Sequence, residues 1–412
     1  DLNLANYLAD RIAFSKQKSY SRFILRLSFA ATVVSVMIMI ITVCMAAGFQ
    51  EAVQNKIFGF WGHIRIQEKQ PSLSVLEKMN PIQKNDSLLQ QLNHHPDISS
   101  VHPFATQYAL LKTRNEMEGI LLKGIDDKVG WSKYAAFLKT GSVPKIESND
   151  FSRGILVSQQ QAKRLQLQVN DSLVLYFTQQ EGPPRAKKVF IAGIFQTGIE
   201  EYDRLFALAD LRLIRQVSGW TENQVGGYEI FVRDPSNLDK IANELYQAEN
   251  FPTTWDVIPI KNVAPQLFDW LNMQVVTRNV LIVIMTIVAL INLITSLLVL
   301  VLERIQMIGI LKALGAADKT IQQLFLRYAL LLTTAGILVG TLLAFILMGI
   351  QQKTGFIHLD ESAYYIDKIE FKIMPVQIAL IMAGTLVVSL LVLLLPTLLV
   401  KRISPVRAIR FS

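Results

Sequence analysis

Three of the chain's 5 histidines, His94, His95 and His102, crowd closely enough to raise the question of a metal site. Zinc sites set Cys, His or carboxylate ligands at defined spacings. The stretch NHHPDISSV has no such spacing and reads as a turn, so solvated loop histidines are expected. Phosphate and hydrolytic chemistry also lack their residues: there is no G-x-x-x-x-G-K-[ST] loop, no H-E-x-x-H and no G-x-S-x-G. The chain therefore cannot bind and hydrolyse ATP by the usual P-loop route. The single cysteine, Cys44, excludes an intramolecular disulfide and a Cys-based metal site. The residues before it, ITV, are not the small ones expected ahead of a lipid-modified Cys, so Cys44 reads as a small core side chain.

What must be positioned is therefore something other than a catalytic centre. The 412 residues are 51% apolar and 18% charged, with a mean hydropathy of +0.32, which points to a membrane protein. The net charge of +8 is scattered through apolar context, without the aromatic and basic interleaving of a nucleic-acid surface. A helix needs about 20 apolar residues to cross a bilayer. Four segments meet that length: 23–48, 279–302, 328–350 and 373–400. The first follows basic residues (Arg11, Lys16, Lys18, Arg22, Arg26) and resembles a signal peptide. Its apolar core exceeds the roughly 7 to 15 residues of a signal h-region, so it is expected to be a retained anchor. Ionisable residues are almost absent from these spans, which argues against an ion path. Asn292 and the pair Gly336 and Gly340 are their main polar or small features, and helix packing is the expected role. The sequence begins at Asp1 rather than a methionine, and nothing follows from that.

Lysine and arginine in the flanks set the orientation. They dominate the N-terminal segment 1–22, the connection 303–327 (Arg304, Lys312, Lys319, Arg327) and the tail 401–412 (Lys401, Arg402, Arg407, Arg410). The connection 351–372 carries Asp360, Glu361, Asp367 and Glu370 against three lysines. Both termini and the 303–327 loop are thus expected in the cytoplasm, with 49–278 and 351–372 on the other side.

The segment 49–278 reads as a large α+β domain. HIRIQ, ISSVHPFATQYALLKT, GILLKGID, ILVS, DSLVLYF, KKVFIAGIF and YEIFVRD carry strand-like patterns between turn signals, and SNLDKIANELYQAEN reads as a helix. Apolar residues at helical spacing continue past the first span (Phe49, Val53, Ile57, Phe60) and precede the second (Ala264, Leu267, Phe268, Leu271, Val275). Both helices are expected to extend beyond the bilayer as amphipathic stalks. Between DSLVLYF and KKVFIAGIF, the polar tip TQQEGPPRA suits a projecting hairpin and equally an ordinary surface loop.

Three stretches resemble a known family: AGFQEAVQNKIFG after the first span, INLITSLLVLVLERIQMIGILKALGA after the second, and ISPVRAIRF near the C-terminus. They are similar to the lipoprotein-releasing permeases LolC and LolE, within the MacB/FtsX-like permease superfamily. The middle stretch is common to the superfamily; the first, with YYIDKIEF before the fourth span, favours the lipoprotein-releasing branch. The resemblance implies four transmembrane helices, a periplasmic α+β domain between helices one and two, and location in the bacterial inner membrane. It implies a non-catalytic subunit of an ABC transporter, paired with an identical or paralogous permease chain and with a LolD-like ATPase that binds the ATP and Mg. The substrate would be a di- or triacylated lipoprotein, drawn from membrane lipid and passed to a LolA-like periplasmic chaperone.

The resemblance also implies three sites. Arg304, Met307, Ile310, Leu311, Lys312, Leu314 and Gly315 match a coupling helix that docks on the ATPase, with Met307 where many superfamily members carry an acid. Gln179, Gln180, Glu181, Gly182, Pro183, Pro184 and Arg185 lie where the family places its chaperone-binding hook. Met45, Phe49, Val53, Phe268, Leu271 and Val275 would line the cleft for acyl chains, with packing on one another or on a dimer mate as the alternative. Two other readings remain open: a MacB-type efflux permease, which usually carries its ATPase in the same chain, and an FtsX-like regulator of a cell-wall hydrolase, whose outer domain is usually much smaller.

Overall fold

Among the described residues, four long helices carry the long apolar runs of the sequence: Tyr20–Trp61, Pro265–Glu303, Asp318–Thr354 and Pro375–Arg402. They belong to a computed structural model that describes residues 20–402 apart from 71–78, 114–115, 127, 146–149, 179–182, 249–250 and 304. Two of them begin at proline, whose fixed φ and missing N–H suit a first helical position. The third ends at Gly355, where a φ of 58° continues the chain into the left-handed region and Gly355 N–H donates to the Gln351 carbonyl at 2.7 Å. Among the described residues, three of these helices are long and apolar enough to cross a membrane. The fourth offers a shorter apolar stretch, Pro375–Leu391. The first two run well past the apolar cores expected from the sequence, as the continuing helical spacing requires.

The chain divides into two units. The helical one comprises Asp1–Glu51, Leu271–His358 and Lys368–Ser412. Within it, Val36, Met39, Ile40 and Cys44 of the first long helix pack with Ile337, Ala344 and Met348 of the third and Ile378 of the fourth. The two glycines noted in the sequence serve this packing. A Cβ on Gly340 would lie 2.6 Å from the Val33 carbonyl oxygen, and one on Gly336 would lie 3.0 Å from a Thr32 methyl. Small residues let helix backbones approach closely where no hydrophobic driving force acts between them. Cys44 is buried in the same cluster.

The second unit, Ala52–Trp270 with Leu359–Asp367, is built on a mixed ten-stranded sheet. The strand order is Trp255–Pro259, Ile64–Glu68, Gly227–Val232, Ile98–Lys112, Met117–Ile125, Phe206–Asp210, Gly154–Ser158, Arg185–Phe195 and Leu138–Gly141. Ser172–Phe177 bridges Ile98–Lys112 and Arg185–Phe195. Two pairings are parallel, Met117–Ile125 with Phe206–Asp210 and Gly154–Ser158 with Arg185–Phe195. The strand-like runs of the sequence all fall on these strands. Phe206–Asp210 was not foreseen: five buried residues between two helices carry no alternation to mark a strand. The helix expected over SNLDKIANELYQAEN is Leu238–Tyr246, buried along Leu238, Ile241, Ala242 and Leu245.

Candidate functional site

The segment after the second long helix is a short helix, Ile305–Ala313, closed by a left-handed turn. Gly315 adopts a φ of 87°. Its N–H donates to the Lys312 carbonyl at 3.0 Å, while Ala316 N–H donates to the Leu311 carbonyl at 2.9 Å. This is the Schellman pattern, which satisfies carbonyls that a helix end leaves free. A Cβ at Gly315 would meet open space, so the requirement for glycine is conformational and not steric. Across the turn, Lys312 Nζ lies 2.9 Å from Asp318 Oδ1, and Asp318 opens the third long helix. A basic group near one helix end and an acid in the first turn of the next both suit the helix dipoles.

The four apolar residues matched to a coupling helix divide between two faces. Met307 and Leu311 pack with Ala316 against Ile308, Ile321 and Phe325. Ile310 and Leu314, four residues apart and so on one helical face, are 53% and 79% exposed. The outward apolar surface of this helix is thus the Ile310–Leu314 pair, held by an inward pair that belongs to the core. Arg304 lies outside the described residues.

The hairpin is real at its base. Ser172–Phe177 and Arg185–Phe195 pair antiparallel, with Phe177 opposite Arg185. The Arg185 guanidinium donates to the carbonyls of Gln216 and Val217 at 3.0 and 3.1 Å. Of the tip residues, Gln179, Gln180, Glu181 and Gly182 lie outside the described residues, while Pro183 and Pro184 are exposed. The residues expected along an acyl cleft are distributed over both units. Met45, Phe49, Leu271 and Val275 fall in the helical one, and Val53 and Phe268 in the α/β one. Val53 and Leu271 are buried and Met45 is exposed; the Phe268 ring stands 6.1 Å from that of Phe58.

One constellation escaped the sequence reading entirely. The first long helix ends inside the α/β unit at Trp61, and Gly62 follows with a φ of 74°, its N–H on the Phe58 carbonyl at 2.7 Å. The carbonyl of Phe60, left free by the helix end, accepts from Lys123 Nζ and from the Tyr134 hydroxyl, the latter at 3.0 Å. Lys123 is completely buried, 2.6 Å from Glu229 Oε1 and 4.3 Å from the centre of the Trp61 ring. The Arg65 guanidinium is held between Trp61 and Phe104, 4.8 and 4.6 Å from their ring centres. Burial pulls the Lys123 ammonium down to about 8 against the opposing pull of Glu229. The Glu229 carboxyl is pushed up by burial, with Lys123 opposing. A buried cation at a helix C-terminus is favourable electrostatically, and pairing answers the cost of desolvating it. The sequence did hold a signal: GILLKGI and GYEIFV each place one charge in an otherwise apolar strand, and such a charge is affordable only when paired.

Comparison with known proteins gives the following. Residues 279–405 match the FtsX-like permease C-terminal family. The lipoprotein-releasing system transmembrane protein LolC of Xylella fastidiosa (strain 9a5c) is 22% identical over 414 residues, covering 96% of each chain. The corresponding LolE of Haemophilus influenzae is 23% identical over 433 residues, covering 99% of each. Among solved structures, the extracellular domain of the ABC-type transporter YknZ from Gram-positive bacteria covers 47% of this chain and 98% of its own at 14% identity, with a TM-score of 0.32. The periplasmic region of MacB from Actinobacillus actinomycetemcomitans covers 50% and 91% at 12% identity, with a TM-score of 0.33. Scores of that size do not bear on the fold.

Proposed function

Taking as premise an FtsX-like permease that resembles LolC and LolE over nearly its whole length, we propose that this chain is the membrane subunit of an ABC transporter that releases acylated lipoproteins from the inner membrane. The observation that carries the reading is the extent of the similarity, which takes in the helical unit and the α/β unit alike. ATP hydrolysis belongs to a separate ATPase subunit, bound on the cytoplasmic side by the Ile305–Ala313 helix through Ile310 and Leu314. The α/β unit is periplasmic, both termini are cytoplasmic, and a second permease chain completes the pair.

The physical problem such a machine meets is anchoring. Each acyl methylene buried in a bilayer is worth about 0.8 kcal/mol, so two or three chains hold a lipoprotein effectively permanently unless energy is supplied. The apolar residues of the stalks, among them Phe49, Phe268 and Val275, offer the chains a surface beside the lipid, and the hairpin tip receives the chaperone that takes them.

The test is reconstitution of the chain with its ATPase, a labelled lipoprotein and a soluble periplasmic chaperone. ATP-dependent transfer of label to the chaperone is expected; ATP turnover without transfer would refute the reading. Deleting residues 179–185 is expected to abolish chaperone capture while basal ATP hydrolysis continues. Transfer at the undeleted rate would remove the hairpin from the mechanism.

A further inference from the structure

The short acidic connection between the third and fourth long helices is not a free loop. Its residues Leu359–Asp367 belong to the α/β unit. The segment is closed at its neck, where Leu359 N–H donates to the Asp367 carbonyl at 2.9 Å. Inside it, Glu361–Tyr364 forms one helical turn, and Tyr365 follows with a φ of 62°, unusual for a residue with a Cβ.

Glu361 uses both carboxylate oxygens. Oε1 accepts from Lys56 Nζ at 2.8 Å and Oε2 accepts from Gln196 Nε2 at 2.8 Å. Lys56 donates again, to the Tyr365 carbonyl, at 2.7 Å. Both members of the pair are largely sheltered, with 24% and 20% of their side chains exposed. The strand end beneath them is shaped for the contact: a Cβ on Gly198 would stand 2.3 Å from Glu361 Oε1 and 2.5 Å from Lys56 Nζ. The Tyr365 ring packs edge-on to Trp270 at 5.3 Å between centres. Lys56 lies on the first long helix, Trp270 on the second, and Gln196 and Gly198 in the α/β body. Four separate parts of the chain therefore meet at one carboxylate and the tyrosine four residues after it.

We propose that Glu361 is a positioning residue that locks the connection between the third and fourth long helices to Lys56 of the first, so that these helices move the α/β unit together. The inference rests on the transport reading above. A single acid is the economical device here, because the connection is joined covalently to the third and fourth helices and its ion pair reaches the first. With glutamine at 361 the ion pair to Lys56 is gone, and one acceptor oxygen is left for two donors, Lys56 and Gln196. The helices can then cycle without carrying the unit.

The experiment compares the unaltered chain, Glu361→Gln, Lys56→Glu and the charge exchange Lys56→Glu with Glu361→Lys, each reconstituted with the ATPase, labelled lipoprotein and chaperone. Lipoprotein released per ATP hydrolysed is the quantity read. It is expected to fall about tenfold in each single variant, the scale of coupling between contacting charges, with ATP hydrolysis itself within about twofold of the unaltered rate. The exchange is expected to restore part of it, since the ion pair re-forms while the Tyr365 carbonyl loses its donor. Release per ATP that stays unchanged, falls in step with ATP hydrolysis, or is not restored by the exchange would overturn the proposal. Failure of the unaltered chain to release lipoprotein would instead bring down the transport reading, and this inference with it.

Discussion

Replacing Lys123 by methionine tests whether the buried pair under the first long helix holds that helix end in place. The side chain is of similar length, so the chief losses are the charge, its contact with Glu229 at 2.6 Å, and one of the donors to the Phe60 carbonyl. Glu229 is left in a fully desolvated position, with Arg65 and then Lys133 as its remaining nearby cations. Removing one member of a buried pair costs about 3–5 kcal/mol, because the other stays behind uncompensated. In a domain of this size about 1 kcal/mol moves the thermal midpoint by about 2–4 °C, so a fall of about 6–20 °C is expected. Replacing both Lys123 and Glu229 by methionine removes both desolvation costs and is expected to recover most of that loss. Thermal unfolding of the full chain in detergent, followed by tryptophan fluorescence, reads this directly, since Trp61 lies 4.3 Å from the ammonium. A single variant within about 2 °C of the original, or a double variant no better than the single, would refute the reasoning.

Three further variants have outcomes set by the structure. Leu314→Asp is expected to weaken capture of the ATPase by about thirtyfold or more, the value of burying a leucine, while leaving the thermal midpoint unchanged because Leu314 is largely exposed; Leu311→Asp is expected to lower the midpoint as well, since Leu311 packs against the core. Undiminished capture by the Leu314 variant would take that residue out of the interface. His63 is driven down to about 4 by burial and then by the charge of Lys133, and its Nδ1 accepts from Val232 N–H at 3.2 Å. With a native value below the unfolded one, its stabilising contribution is full above about pH 6.5 and is lost as pH falls towards 4. His63→Gln is therefore expected to lose less midpoint than the original between pH 7 and pH 4.5; equal losses in the two would assign the acid sensitivity elsewhere.

Much of this architecture was legible in the residues because its causes are local. Apolar runs long enough to span a bilayer became long helices, and helical spacing around Val53 and Leu271 marked their continuation past the apolar cores. Alternation in ISSVHPFATQYALLKT became the strand Ile98–Lys112, and the polar TQQEGPPRA tip separated two strands that do pair as a hairpin. The segment around Ile305–Ala313 was legible as apolar and glycine-bearing. Its division into an inward Met307–Leu311 pair and an outward Ile310–Leu314 pair was not, since either face of so apolar a helix suits a core.

The amino-acid sequence by itself determined the long apolar runs and which alternating runs become strands, because periodicity and turn chemistry act over a few residues; the uniformly buried strand Phe206–Asp210 carried no such mark. Only the tertiary structure decided which charges meet. Lys123 finds Glu229 and the end of the first helix, and Glu361 finds Lys56 and Gln196, across separations in sequence that no local pattern spans. Such pairs exist because folding removes water from both partners at once, and the cost of leaving either one alone selects the arrangement that joins them.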